Sequence, residues 1–201
     1  MAGRHGRLPW FALDELDTAQ RAVHTDITGG PRARAGRTLA LADGSGRLHG
    51  PFNAMLVNPA LGGAVQRLGA AVRYGTGLTD RAREIAILEV ARAARSDFEW
   101  FAHERIGAAA GLTVTALAAV QRGEAPASFD DTERAVHAFT AALTRAGDVD
   151  DDAYETATSA LGVTAVVELV TLVGYYQLLA LSMRVHRTPL PEGAAPPVWP
   201  S

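Results

Sequence analysis

Arg83-Glu84-Ile85-Ala86-Ile87-Leu88-Glu89-Val90-Ala91-Arg92-Ala93-Ala94-Arg95-Ser96-Asp97-Phe98-Glu99-Trp100-Phe101-Ala102-His103 reads as two helices meeting at a short joint. Thr79 is a cap for the first, and Ile85, Ala86, Leu88 and Ala93 give it one buried side. Ser96 or Asp97 opens the second, which runs from Phe98 to about Ala110 and is stopped by Gly111. Glu99 and His103 are four apart, so a helix brings their Cβ atoms to about 5 to 6 Å on one face. A carboxylate and an imidazole then share one neighbourhood.

The same grammar extends in both directions. Asp14 to Thr28 predicts a helix through Leu16, Ala19, Val23 and Ile27. Glycines, Pro31 and short polar residues predict loop from Gly29 to Gly50. Asn58-Pro59 supplies a cap and a first-turn proline for a helix reaching Tyr74, which Gly75 and Gly77 end. Further helices are predicted from Thr113 to about Gly123, Asp130 to Ala146, Asp150 to Leu161 and Thr164 to His186. No strand pattern competes. The fold class is all-α, with roughly seven or eight helices and short joints. The organisation is an N-terminal helix and irregular loop over 1–49, a helical domain over 50–187, and a proline-rich extended tail over 188–201 that can wrap a neighbour.

Composition removes whole classes of chemistry. The chain has no cysteine, which excludes disulfides, thiolate nucleophiles and cysteine ligation of metals. Every one of the 19 basic residues is arginine, so no lysine amine is present for Schiff-base chemistry or for anchoring pyridoxal phosphate. The net charge of -3 is spread along the chain, and no block suggests a nucleic-acid partner. Arg105 to Gln121 imitates a DNA-binding helix-turn-helix, but Val114 to Arg122 offers alanine, valine and leucine where base contacts need polar groups. No signal peptide is visible at the start, and a cytoplasmic location is expected. Ala160 to Val185 is apolar enough to suggest a membrane span, yet Glu168 and Gln177 fall inside it. It is read as a core or subunit-interface helix, with no membrane partner.

Four segments together resemble the carboxymuconolactone decarboxylase and alkylhydroperoxidase D-like superfamily. They are Gly50-Pro51-Phe52-Asn53-Ala54-Met55, Arg83-Glu84-Ile85-Ala86-Ile87-Leu88, Glu99-Trp100-Phe101-Ala102-His103-Glu104, and Glu168-Leu169-Val170 with Gly174-Tyr175-Tyr176. The 19-residue step from Glu84 to His103 is similar to the superfamily spacing. In the peroxidase branch, the resemblance aligns the two redox cysteines with Ser96 and Glu99, and the proton-relay pair with Glu84 and His103. A disulfide cycle is impossible with serine and carboxylate in those places. The decarboxylase branch also lacks the cysteine pair, and the resemblance to it implies cofactor-independent lyase chemistry on a small carboxylated lactone or related carbonyl compound.

Such chemistry makes an enolate-like anion that must be stabilised and then protonated on carbon. His103 is the expected proton donor, Glu99 the residue that orients its imidazole, and Glu84 a relay or second base. Arg83 is the candidate counter-charge for an anionic substrate, with Arg73 and Arg95 nearby in sequence. Phe52, Tyr74 and Trp100 are candidate apolar walls, positions at which aromatic residues also serve simply as core. No metal and no cofactor are assigned, although two carboxylates and an imidazole meet the minimum for a metal-dependent alternative. A second alternative is a non-catalytic helical oligomer that binds a small apolar or aromatic metabolite. The resemblance implies assembly into dimers, trimers or hexamers, with Val166, Leu169, Val173 and Leu178 as the expected interface and Glu168 pairing with an arginine across it.

Overall fold

The computed structural model describes residues 3–30, Arg32 and 40–200. Of the loop predicted from Gly29 to Gly50, residues 31 and 33–39 lie outside these. Among the described residues there are nine α-helices. They are α1 (Thr18–Gly29), α2 (Pro51–Val57), α3 (Pro59–Tyr74), α4 (Asp80–Ala94), α5 (Asp97–Ala109), α6 (Val114–Gln121), α7 (Asp131–Ala146), α8 (Asp151–Leu161) and α9 (Val163–His186). The all-α reading holds, with one helix more than expected. The addition is α2, where Gly50 takes a positive φ of 60° and Pro51 starts a helix at what the sequence presents as the end of the loop.

Two further differences have local causes. Asp17 caps α1 by accepting the Gln20 N–H, and the Gln20 side chain reaches back to the Asp17 N–H, so this capping box starts the helix at Thr18. The Leu13–Glu15 segment upstream is a separate 3₁₀ turn. At the N-terminus, β1 (Gly3–His5) pairs antiparallel with β2 (Leu8–Trp10), a hairpin too short for a periodic signal.

The chain groups into two compact units: 1–75 with 181–195, and 76–180 with 196–201. In the first, α1 packs on α2 and α3. Gly62 marks the tightest approach, since a Cβ there would stand 1.9 Å from the Met55 carbonyl oxygen. In the second, α4 is the central helix and packs against α5, α6 and α7. Every residue from Ala82 to Ala91 is buried, so the helix has no solvent face over its middle turns. Ile85, Ile87 and Leu88 are fully covered, each contributing about 1.5–3 kcal/mol on burial. Ala93, expected to face inward, is exposed.

A helix buried all round must pair any charge it carries. Glu84 and Glu89 of α4 are 1% and 0% exposed. Each therefore has its cation or imidazole close by, and the first of these pairs defines the site below.

The long apolar helix α9 corrects the expected interface. Val166, Leu169 and Val173 are buried against the chain itself, whereas Leu178 is exposed. Glu168 accepts the Gly77 backbone N–H at 3.0 Å within the second unit. The tail also docks on its own chain: Trp199 donates to Asp97 Oδ1 at 2.7 Å and stacks edge-on against Trp100 at 5.6 Å.

Candidate functional site

Glu84 comes from the second turn of α4, and Glu99 and His103 come from consecutive turns of α5. All three belong to the second unit and are at most 7% exposed. The sequence spacing does bring Glu99 and His103 onto one face, but the closer partner is the other carboxylate. His103 Nδ1 lies 2.6 Å from Glu84 Oε2, while His103 Nε2 is 3.5 Å from Glu99 Oε2. With Glu84 as the accepting carboxylate, the Nδ1–H donates to it, and Nε2 is the nitrogen left facing Glu99. The expected orienting role of Glu99 thus falls geometrically to Glu84. The physical reason is that α4 and α5 pack directly, so a residue 19 positions away is nearer than one a single turn away.

A fourth residue touches the imidazole. Tyr176, 3% exposed on α9, stands edge-on to the His103 ring with centroids 5.2 Å apart and planes at 89°, and Tyr175 meets Tyr176 in the same manner at 5.3 Å. In the sequence, Gly174-Tyr175-Tyr176 serves only as a fold signature. The contact joins helices about seventy residues apart, and no local periodicity announces it.

The other expected site residues are placed differently. Arg83 is buried, but its guanidinium turns back along α4, donating to Asp80 Oδ1 at 2.7 Å and to the Leu78 carbonyl at 2.7 Å. It closes the start of its own helix and is not in contact with the Glu84–His103 pair through these bonds. Trp100 is 2% exposed and packs on Trp199. Phe52 and Tyr74 belong to the first unit, where the Arg32 guanidinium lies over the Phe52 ring and Arg73 over that of Tyr74. Arg95 is exposed and donates to the Pro200 carbonyl. Among the described residues no group of three or more His, Asp or Glu side chains is arranged to hold a metal ion.

Residues 59–144 match the carboxymuconolactone decarboxylase family. Solved structures share the fold. One is a protein of unknown function from Agrobacterium tumefaciens described as an antioxidant defence candidate, AhpD, at 20% identity and a TM-score of 0.63, over 69% of this chain and 96% of that one. Another is the debrominase Bmp8, both in its apo form and as a cysteine-to-alanine variant in complex with 2,3,4-tribromopyrrole. Each shows 14% identity and a TM-score of 0.68 over 87% of both chains. No curated protein matches the sequence. The family match covers part of the chain, and the solved structures show that the fold is AhpD-like.

At the positions where the resemblance places a redox cysteine pair, this chain carries no cysteine. Ser96 is buried at the N-cap of α5, and Glu99 follows one turn later. Two carboxylates and one imidazole remain, with no thiol.

A second acid-base cluster sits on the opposite flank of α4. Glu89 receives two bonds from Arg92, at 2.8 and 2.5 Å, and His137 Nε2 of α7 lies 3.6 Å from Glu89 Oε2. Burial pushes the His137 imidazole below its ordinary value; Glu89 opposes that shift and Arg92 adds to it. The Arg92 pairing leaves Glu89 compensated, and this cluster reads as the pin between α4 and α7.

Proposed function

We propose that the protein is a cofactor-independent lyase of the carboxymuconolactone decarboxylase kind, acting by proton transfer through His103. The observation that carries this reading is the line Glu84–His103–Glu99, in which a buried imidazole has one nitrogen tied to a carboxylate at 2.6 Å and the other facing a second carboxylate at 3.5 Å. Glu84 fixes the tautomer and compensates the imidazolium. Nε2 is the nitrogen that exchanges its proton with a substrate carbon, and Glu99 restores that proton.

The substrate class is a small carboxylated lactone or keto compound. Loss of carbon dioxide leaves the bonding pair on the adjacent carbon as an enolate-like anion. The Nε2–H of the imidazolium then protonates that carbon, leaving neutral imidazole, and one proton taken up from solvent through Glu99 closes the cycle. The net change consumes one proton and releases one carbon dioxide. A thiol peroxidase or any reaction through a cysteine is excluded by the absence of that residue. Debrominase is the name of one structural neighbour and describes that protein alone.

The test is a turnover screen of small lactones, keto acids and phenolic acids with the wild-type chain, His103→Ala, Glu84→Gln and Glu99→Gln. Turnover by the wild type that falls at least about 100-fold in His103→Ala is the expected result, in the range of general acid-base contributions. Undiminished turnover in His103→Ala removes the imidazole from the mechanism.

A further inference from the structure

The segment Pro196-Pro197-Val198-Trp199-Pro200 has neither helix nor strand, yet it is held by side chains of the second unit, to which it belongs. Trp199 is half-buried: its indole N–H donates to Asp97 Oδ1 at 2.7 Å, and its ring meets that of Trp100 edge-on at 5.6 Å. On either side of it, side-chain donors reach main-chain carbonyls. Gln121 Nε2, at the end of α6, donates to the Val198 carbonyl at 3.2 Å, and Arg95 Nη2, at the joint of α4 and α5, donates to that of Pro200 at 3.3 Å. The Val198 side chain is 87% exposed and takes no part.

Each contact has its own task. The two carbonyl contacts recognise an extended backbone whatever its side chains, and the indole is the one side chain fixed by both ring contact and hydrogen bond. Pro196, Pro197 and Pro200 preset φ at about −65° and keep the residues before them extended, so docking costs little conformational freedom. Arg95 points to a built surface. It ends α4 in a left-handed conformation, φ 47° and ψ 50°, where glycine is the ordinary choice, and its side chain is the one that holds Pro200. The hydrogen bonds are exposed and individually weak, so the segment can leave its seat.

We propose that Arg95, Asp97, Trp100 and Gln121 form a docking surface for an extended peptide with tryptophan directly before proline, closed in cis by residues 196–200. The partner it fits is a segment of that pattern from another protein, which takes the seat when the chain's own segment leaves. Tethering presents the own segment at an effective concentration of about 1 mM or more, so a free peptide of the same sequence competes only above that level. Nothing in this depends on the proposed proton transfer, since none of the four residues belongs to the Glu84–His103–Glu99 group.

The chain has three tryptophans, so three indole N–H resonances report the contact by nuclear magnetic resonance. In the otherwise wild-type chain, Asp97→Ala should move the Trp199 resonance and leave that of Trp10 in place. The probe for docking is the peptide acetyl-Pro-Pro-Val-Trp-Pro-amide, added to the chain carrying Trp199→Ala, in which Trp100 is the reporter. A saturable shift of the Trp100 resonance with a Kd of about 1 mM is expected, and binding to the wild type should be at least about 2-fold weaker because its own segment competes. The same peptide with phenylalanine in place of tryptophan lacks the N–H and should bind about 5-fold more weakly, a difference that Asp97→Ala added to Trp199→Ala should erase. An unmoved Trp199 resonance in Asp97→Ala, no Trp100 shift in Trp199→Ala at about 10 mM peptide, or equal binding of the two peptides each overturns the proposal. A wild type that binds the peptide as tightly as Trp199→Ala, or a wild-type dimer on sedimentation that Trp199→Ala dissociates, overturns closure in cis, the second by placing the segment on another copy.

Discussion

Replacing either member of the Glu84–His103 pair should destabilise the protein by about 3–5 kcal/mol, because each leaves the other without its 2.6 Å partner in a site at most 7% exposed. Glu84→Gln and His103→Gln keep a polar group of similar length, so most of the loss comes from the contact itself. The magnitude follows from the geometry. A buried hydrogen bond involving a charged group contributes about 1.5–3 kcal/mol net, and stranding the partner adds its desolvation. For about 200 residues, 3 kcal/mol lowers the melting temperature by roughly 6–12 °C. The double variant removes both charges together and should lose less than the two singles combined, with a coupling of about 1.5–3 kcal/mol. Urea unfolding at neutral pH, followed by far-ultraviolet circular dichroism for all four proteins, measures this cycle. Losses that add to within about 0.5 kcal/mol would show that the pair contributes nothing as a pair, and the electrostatic account of the site would fail with them.

Acidification should weaken the fold through His5. Burial, aided by the charge of His49, pushes its imidazole down from 6.5 to about 4, so the unfolded chain binds the proton first. The stability it contributes is fully present above pH 6.5 and is lost as the pH falls toward 4. After allowing for solvent screening this amounts to about 1–2 kcal/mol. His137, also held low by burial, acts in the same direction. Comparing melting temperatures of the wild type and His5→Asn across this interval checks the sign; a wild type that grows more stable on acidification contradicts it. Gly62→Ala should cost at least about 2 kcal/mol, since its Cβ would stand 1.9 Å from a backbone oxygen that cannot rotate away. An unchanged urea midpoint would show that α2 and α3 are not as close as described.

The fold was legible because its signals are local. Asp130, Asp150 and Thr113 each accept a backbone N–H at the predicted helix starts, and Gly147 ends α7 in a left-handed conformation. Caps and 3.6-residue periodicity act within a few residues, so the sequence displays them directly. The same holds for the meeting of Glu99 and His103 on one helix face, and for the exclusion of sulfur and amine chemistry, which rests on composition alone.

Distance in the chain hid the rest. Only the packing of α4 on α5 made Glu84 the short partner of His103, and only the approach of α9 brought Tyr176 to its ring. Arg83 is the exception: Asp80 stands three residues before it, an i,i+3 pair visible in the sequence, and the guanidinium is taken up by it and by the Leu78 carbonyl. On α9, apolar residues stand on every side of the helix, so no contrast between an oily and a polar face tells which side the chain covers. Tertiary packing buried Val166, Leu169 and Val173, and it left Val163, Val170 and Leu178 facing outward.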